Sequence, residues 1–167
     1  MSEPLYVKNA GLALTAAFLS RLFSMLDMTS EQGWKDTASA MRAPHLLQWL
    51  VDERTSAPEP ELVLNKVLCG LGLAAVIEAS IEITEREKDV GTQLLKAMIA
   101  NWTVISQTSV KGLRETFLQR DGKLQAEIDR WNLNVQRKTV DVLVDQIPWG
   151  ISLLHPVWMA LPLHVTW

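Results

Sequence analysis

Residues 121–138 read DGKLQAEIDRWNLNVQRK, and here the hydrophobic period of the chain changes from helical to two. Leu124, Ala126 and Ile128 alternate with polar neighbours, and Trp131, Leu133 and Val135 repeat the pattern. A period of two places every second side chain on one face of a strand. The spacing therefore predicts two strands, over 123–130 and 131–138, joined by a tight turn, although no Asn-Gly or Asp-Gly pair sits between them. Downstream, GISLL (150–154) and LHVTW (163–167) read as further short strands, confined to short or edge roles by Pro156 and Pro162. The segment LYV (5–7) is a candidate for the same sheet.

Upstream of residue 121 the pattern is helical. Leu12, Ala16, Leu19, Leu22, Phe23 and Leu26 recur at steps of three and four and predict a buried helix within 10–28. Asp36 reads as the N-cap of a second helix carrying Met41, Leu46, Trp49 and Leu50, with Pro44 marking either a kink or the first turn of a shorter helix. A third helix over 61–71 ends at Gly70 or Gly72. Thr84 followed by Glu87 has the form of a capping box opening a fourth helix to Trp102, and 109–119 predicts a fifth. Residues 139–147 space Val140, Leu143, Val144 and Ile147 like two further turns, stopped by Pro148. The expected fold is α+β: about five helices followed by a small C-terminal antiparallel sheet. It is read as one domain over 1–167, helical over about 9–120 and strand-rich over about 121–167.

Composition fits that reading. The 167 residues are 48% hydrophobic and 21% charged, as in ordinary globular chains. A net charge of -3 argues against nucleic-acid binding, which usually needs a basic face. The most apolar stretch, 10–28, contains Arg21 and Asp27 and falls short of the roughly 20 apolar residues that span a bilayer, so no membrane role is expected. An opening that includes Glu3 and Pro4 does not resemble a secretory leader.

Catalytic signals are thin. The single cysteine, Cys69, lies in an apolar helical pattern and reads as a core thiol rather than a nucleophile. His45, His155 and His164 show no metal-ligand spacing, so neither a metal nor a cofactor is expected. Asp141 and Asp145, with Asp129 nearby, read as solvated carboxylates rather than as an acid–base or cation site. No phosphate loop, GxSxG elbow or HExxH is present. These signals do not describe an enzyme.

Tryptophan is the unusual feature. Seven occur, at 34, 49, 102, 131, 149, 158 and 167, against one tyrosine and three phenylalanines. Most are expected to pack a small core. Trp149, Trp158 and Trp167, interleaved with prolines at the C-terminal end, are the candidate interface residues, since tryptophan is enriched at interface hot spots.

Six ordered segments carry a family resemblance: LYVKNAGLAL (5–14), FLSRLF (18–23), RAPHLLQWL (42–50), ELVLNKVLCGL (61–71), TSVKGLRETFLQRDGKL (108–124) and DVLVDQIPWGISLLHPVWMALPLHVTW (141–167). Together they resemble the conserved terminal domain of the tape measure proteins of bacterial contractile injection systems, the phage-tail-like particles. The NAG near the start, the LNKVLCG helix and the PWGIS ending are the most specific elements. The resemblance implies a non-enzymatic part of the tail, held inside the tube near the hub or spike and supporting length determination and assembly. It implies tube and baseplate hub or spike proteins as partners, three- or six-fold self-association, and a location in the bacterial cytoplasm during assembly and inside the particle afterwards. A fully helical chain of this length would reach only about 250 Å, and a compact domain has a radius of gyration near 15 Å. Attachment is therefore expected here rather than ruling a long tube, in either a piece of a longer chain or a short relative. The competing expectation is an assembly chaperone or cargo-loading adaptor absent from the mature particle.

Overall fold

The computed structural model describes residues 3–167; Met1 and Ser2 of the expected domain lie outside the described residues. The apolar stripe of 10–28 begins as a 3-10 turn over Ala10–Thr15 and continues as α1, Ala16–Met25, with Leu19, Leu22 and Phe23 buried. A two-stranded ribbon follows, β2 (Thr29–Ser30) against β3 (Gly33–Trp34).

Helix α2 spans Thr37–Asp52, and Asp36 caps it by accepting the Ser39 amide at 2.7 Å. Pro44 lies inside this helix rather than at its start. Lacking an N–H, it leaves the Ala40 carbonyl without its usual i+4 donor. The Pro44 carbonyl in turn accepts the side-chain amide of Asn65 at 2.9 Å, which ties α2 to the next helix, α3 (Val63–Leu68). Gly70, in the left-handed region at φ 72°, ends α3. A β-carbon there would fall on the Trp158 carbonyl, so close approach as well as backbone angle requires glycine.

Residues 70–83 carry no regular structure. Side chains beneath hold them down: Lys66 donates to the carbonyls of Leu73 and Ala75, and Arg42 to that of Glu82. The expected capping box is present at the start of α4, Glu85–Asn101. The fifth helix is short and irregular. Four α-helical residues, α5 (Val110–Leu113), pass into a π turn over Arg114–Leu118. The π turn carries Arg114, whose Nε donates to the Leu50 carbonyl at the end of α2, and precedes Gln119, which donates to the Val51 carbonyl. Carbonyls that α2 cannot satisfy internally are met this way.

The sheet has five strands in the order β1–β4–β5–β7–β6, with β1 Leu5–Val7, β4 Gly122–Ala126, β5 Trp131–Val135, β6 Leu153–Leu154 and β7 Leu163–Thr166. The sheet differs from the expected C-terminal antiparallel one in two ways. The candidate segment LYV does join it, as β1 at one edge, antiparallel to β4, so the sheet is not C-terminal alone; and β7 runs parallel to β5. The parallel pair follows from the long segment 136–162, which crosses back before β7 begins, a connection that a tight hairpin cannot make. The turn also sits earlier than the period suggests. Strand β4 stops at Ala126, and Ile128 lies fully exposed at the turn tip instead of inward. Register aligns Leu5, Leu124, Leu133 and Val165 across four strands. Leu124, Leu133 and Val165 of that row belong to a core cluster shared with α1, α2, α3 and α4. Residues 139–147 form two 3-10 turns, Thr139–Val142 and Val144–Gln146, not a helix.

Candidate interaction surface

The three residues expected at an interface stand on three different supports. Trp158 belongs to an aromatic group with Phe23 and Trp34, at ring-centre distances of 5.5 and 5.2 Å. The indole N–H of Trp158 donates to the Leu68 carbonyl and that of Trp34 to the Cys69 carbonyl, both at 2.8 Å. These carbonyls close α3, so two indoles cap one helix end. Trp149 packs edge-on against Phe18 at 4.9 Å and against the buried Trp102 at 6.2 Å, and its N–H donates to Leu14 O at 3.0 Å. Trp167 donates to Asp141 Oδ2 at 2.8 Å, while the Arg120 guanidinium lies 5.4 Å from its ring centre. All three rings are half-buried.

Around Trp158, the segment 153–161 leaves Leu153, Val157 and Leu161 exposed. Trp158 thus lies in a run of chain that exposes three aliphatic side chains. Trp149 stands instead behind the face of α1, and Trp167 seals a buried ion pair. Pro156 and Pro162, which flagged this region in the sequence, lie in the irregular segment between β6 and β7.

Asp141 corrects the solvated reading. It is fully buried and accepts both Nη atoms of Arg120, at 2.8 and 2.5 Å, plus the Lys138 amide and the Trp167 indole. Burial pushes its carboxyl up, but the Arg120 hydrogen bonds, the Lys138 amide and Trp167 together win, and its pKa lies below the ordinary carboxylate value. Arg120, which sequence reasoning missed, follows the last apolar turn of the π segment and so enters the core. Asp145, four residues on, is exposed and pairs with Arg137, and Asp129 is exposed beside Arg130. The three carboxylates therefore do not converge.

Cys69 is fully buried, and burial pushes its thiol well above the usual value, as a core thiol requires. His45 Nε2 lies 2.6 Å from the Glu78 carbonyl, His155 Nε2 3.0 Å from that of Met159, and His164 3.5 Å from Arg130. Each is spent on a local contact. Among the described residues, no three His, Cys, Asp or Glu side chains gather as a metal site would need.

Sequence reasoning also missed a buried amide network. Asn9 donates through Nδ2 to Gln48 Oε1 at 2.9 Å and to Asn65 Oδ1 at 2.7 Å. Its direction is fixed by acceptors that cannot donate: Gln48 passes its own amide to Asp52, and Asn65 to the Pro44 carbonyl. One signal was available. Asn65 interrupts an apolar helix stripe, and a polar residue there must find a buried partner. The network joins the NAG, RAPHLLQWL and LNKVLCG segments in space. In NAG, Gly11 is required because a β-carbon would fall on the Phe117 carbonyl.

These features define a scaffold: aromatic side chains bolted to helix ends, polar groups tied internally, and exposed aliphatic side chains along the C-terminal segment. The chain belongs to the contractile injection system tape measure protein family, which it matches over residues 1–167. It is thus a tape-measure-related structural component of such a system, a class that associates with other tail components. Neither among curated proteins nor among solved structures does any match the chain. No helix among the described residues is long and apolar enough to cross a membrane.

Proposed function

We propose that this chain is a folded anchor of the tail: it binds tube and baseplate hub or spike proteins inside the particle, and it measures nothing by its own length. The reading rests on the segment around Trp158. The ring is already fixed by a hydrogen bond and two aromatic contacts, while Leu153, Val157 and Leu161 of the same segment stand exposed. A pre-ordered aromatic anchor loses little side-chain freedom on docking, which favours it as a binding centre. Trp149 and Trp167, on separate supports, offer half-buried edges as contacts apart from that segment. A tail has rotational symmetry, so an axial anchor assembles three- or six-fold.

Light scattering of the purified chain, alone and with hub, spike and tube proteins, tests the proposal. The expected result is a trimer or hexamer, or a complex with a tail protein, that Val157→Glu weakens at unchanged melting temperature. A monomer that ignores every tail protein overturns it. Copy number in purified particles separates the anchor from an adaptor: a small fixed number is expected, and absence from intact particles would favour the adaptor.

A further inference from the structure

A second surface lies on the helical side of the molecule. Helices α1 and α4 run beside each other and leave between them a groove of about 380 Å³. Its walls come from Phe18, Arg21, Leu22 and Met25 of α1 and from Val90, Gln93, Leu94, Ala97 and Asn101 of α4. The α4 residues follow the i, i+3, i+4 rhythm of a single helix face. Leu22, Val90 and Leu94 are buried and form the floor, while Gln93 and Asn101 are exposed on the rim. Phe18 is buttressed by Trp149 at one end, and at the other Arg86 donates to the Met25 carbonyl at the close of α1. The groove is therefore held open by fixed parts.

Arg21 is its one charged lining residue. The other seven arginines all reach an acceptor: Arg42 on Glu87, Arg54 on Asp52 and Glu61, Arg86 on Met25 O, Arg114 on Glu53, Arg120 on Asp141, Arg130 on Asp129 and Arg137 on Asp145. Among the described arginines, Arg21 alone has no carboxylate or carbonyl partner. An arginine fork beside an apolar trough fits a carboxylate presented from an apolar ligand.

We infer that the α1/α4 groove receives an amphipathic α-helix of a partner protein, laid along the trough with an acidic side chain on Arg21. Two parallel ridges with an apolar floor and a polar rim match a third helix, whose i, i+3, i+4 and i+7 side chains fill the trough. From Val90 to Asn101 the wall is about 16 Å long, enough for three turns. The inference does not depend on the C-terminal segment, because none of Leu153, Val157, Trp158 or Leu161 lines this groove.

The test uses the full chain and hydrocarbon-stapled helical peptides of about 14 residues, since unstapled helices this short are marginal in water. One peptide carries leucines on a single stripe and a glutamate beside it; its twin carries lysine in place of the glutamate. Fluorescence anisotropy is expected to show the glutamate peptide binding about three- to tenfold more tightly than its twin, with the preference lost at high salt. Arg21→Glu reverses that preference. Ala97→Arg, which fills the groove from a half-exposed helix position, abolishes binding of both without lowering the melting temperature. Failure of both peptides to bind, equal binding of the two, or indifference to Ala97→Arg overturns the inference. So does equal binding of a proline-broken peptide of the same composition, which would assign the groove to an extended chain. Self-association abolished by Ala97→Arg would assign it to a second copy and also overturn it.

Discussion

Asp141 shows how one residue's surroundings reverse its sequence reading. Its spacing from Asp145 suggests a solvated helix face, but the last apolar turn before the sheet drives Arg120 inward, and a buried guanidinium requires a carboxylate. Asp141→Asn leaves that cation buried and unpaired, so urea unfolding is expected to show a loss of about 3–5 kcal/mol. Replacing both partners, as Arg120→Met with Asp141→Leu, is expected to recover most of the loss; a double variant no better than the single one would contradict the ion-pair account. The pH dependence carries a sign. The folded carboxyl titrates below its unfolded value of about 3.9, so its stabilisation is complete above that pH and fades as pH falls through the lowered folded value. The stability gap between the native chain and Asp141→Asn is therefore expected to be constant at neutral pH and to shrink below about pH 4. The hydrogen bond from Arg137 also lowers the Asp145 carboxyl, but that pair is exposed and solvent screens its effect on stability; the sequence shows the two aspartates alike. What separates them is a partner twenty-one residues away from Asp141, which no local pattern records.

At the scale of elements, local chemistry was legible wherever a cap or stripe fixes it. Asp36 and Thr84 open α2 and α4 as their residue types predict, because each satisfies backbone donors within three residues. The box at α4 reaches further than its motif. Glu87 accepts the Thr84 amide at 2.9 Å and also takes the Arg42 guanidinium of α2 at 2.7 and 2.6 Å, so one carboxylate caps a helix and ties it to its neighbour. Burial pushes that carboxyl up and the Arg42 bonds bring it down, with the balance below the ordinary value. Thr84→Ala is expected to cost about 1 kcal/mol and Glu87→Ala about 2 kcal/mol in chemical denaturation. Arg42→Ala and Glu87→Ala together are expected to cost less than their separate effects combined; strict additivity would show that the cross-helix bond contributes nothing. Elsewhere the elements escaped the sequence for tertiary reasons. The π turn over Arg114–Leu118 follows no propensity; it places Arg114 and Gln119 where the end of α2 needs donors. Strand β4 stops short because Glu127 turns back, its amide meeting the Arg130 carbonyl, so Ile128 loses the inward face its period implied.

Across the whole molecule, the supports of the three candidate tryptophans were not legible in the sequence. Tryptophan counts and prolines drew attention to the C-terminal segment; that Trp158 packs on Phe23 and Trp34, Trp167 over Arg120 and Trp149 behind Phe18 depended on how the chain closes. The parallel, interior place of β7 is the feature the sequence concealed most. LYV joins the sheet as its pattern allowed, with Leu5 opposite Leu124, but β7, expected in a short or edge role, is interior, with Val165 beside Leu133 and Leu163 beside Leu154. An interior strand differs from an edge strand in what its loss exposes. Removing residues 163–167 takes away Leu163 and Val165 from the core, leaves β5 with an unpaired edge, strands β6 without a partner, and frees Asp141 of its indole donor. A chain of this size has about 5–15 kcal/mol of stability, and two buried aliphatic side chains with a ladder of hydrogen bonds are a large share of it. The truncated chain is expected to lose its near-ultraviolet circular dichroism and cooperative melting. Tyr6→Lys, on the exposed face of the edge strand β1, is expected to shift stability by no more than about 0.5 kcal/mol. A truncated chain that still melts cooperatively, with tryptophan fluorescence unchanged but for the missing ring, would show that the helices form a complete core without β7 and that the sheet is an appendage to them.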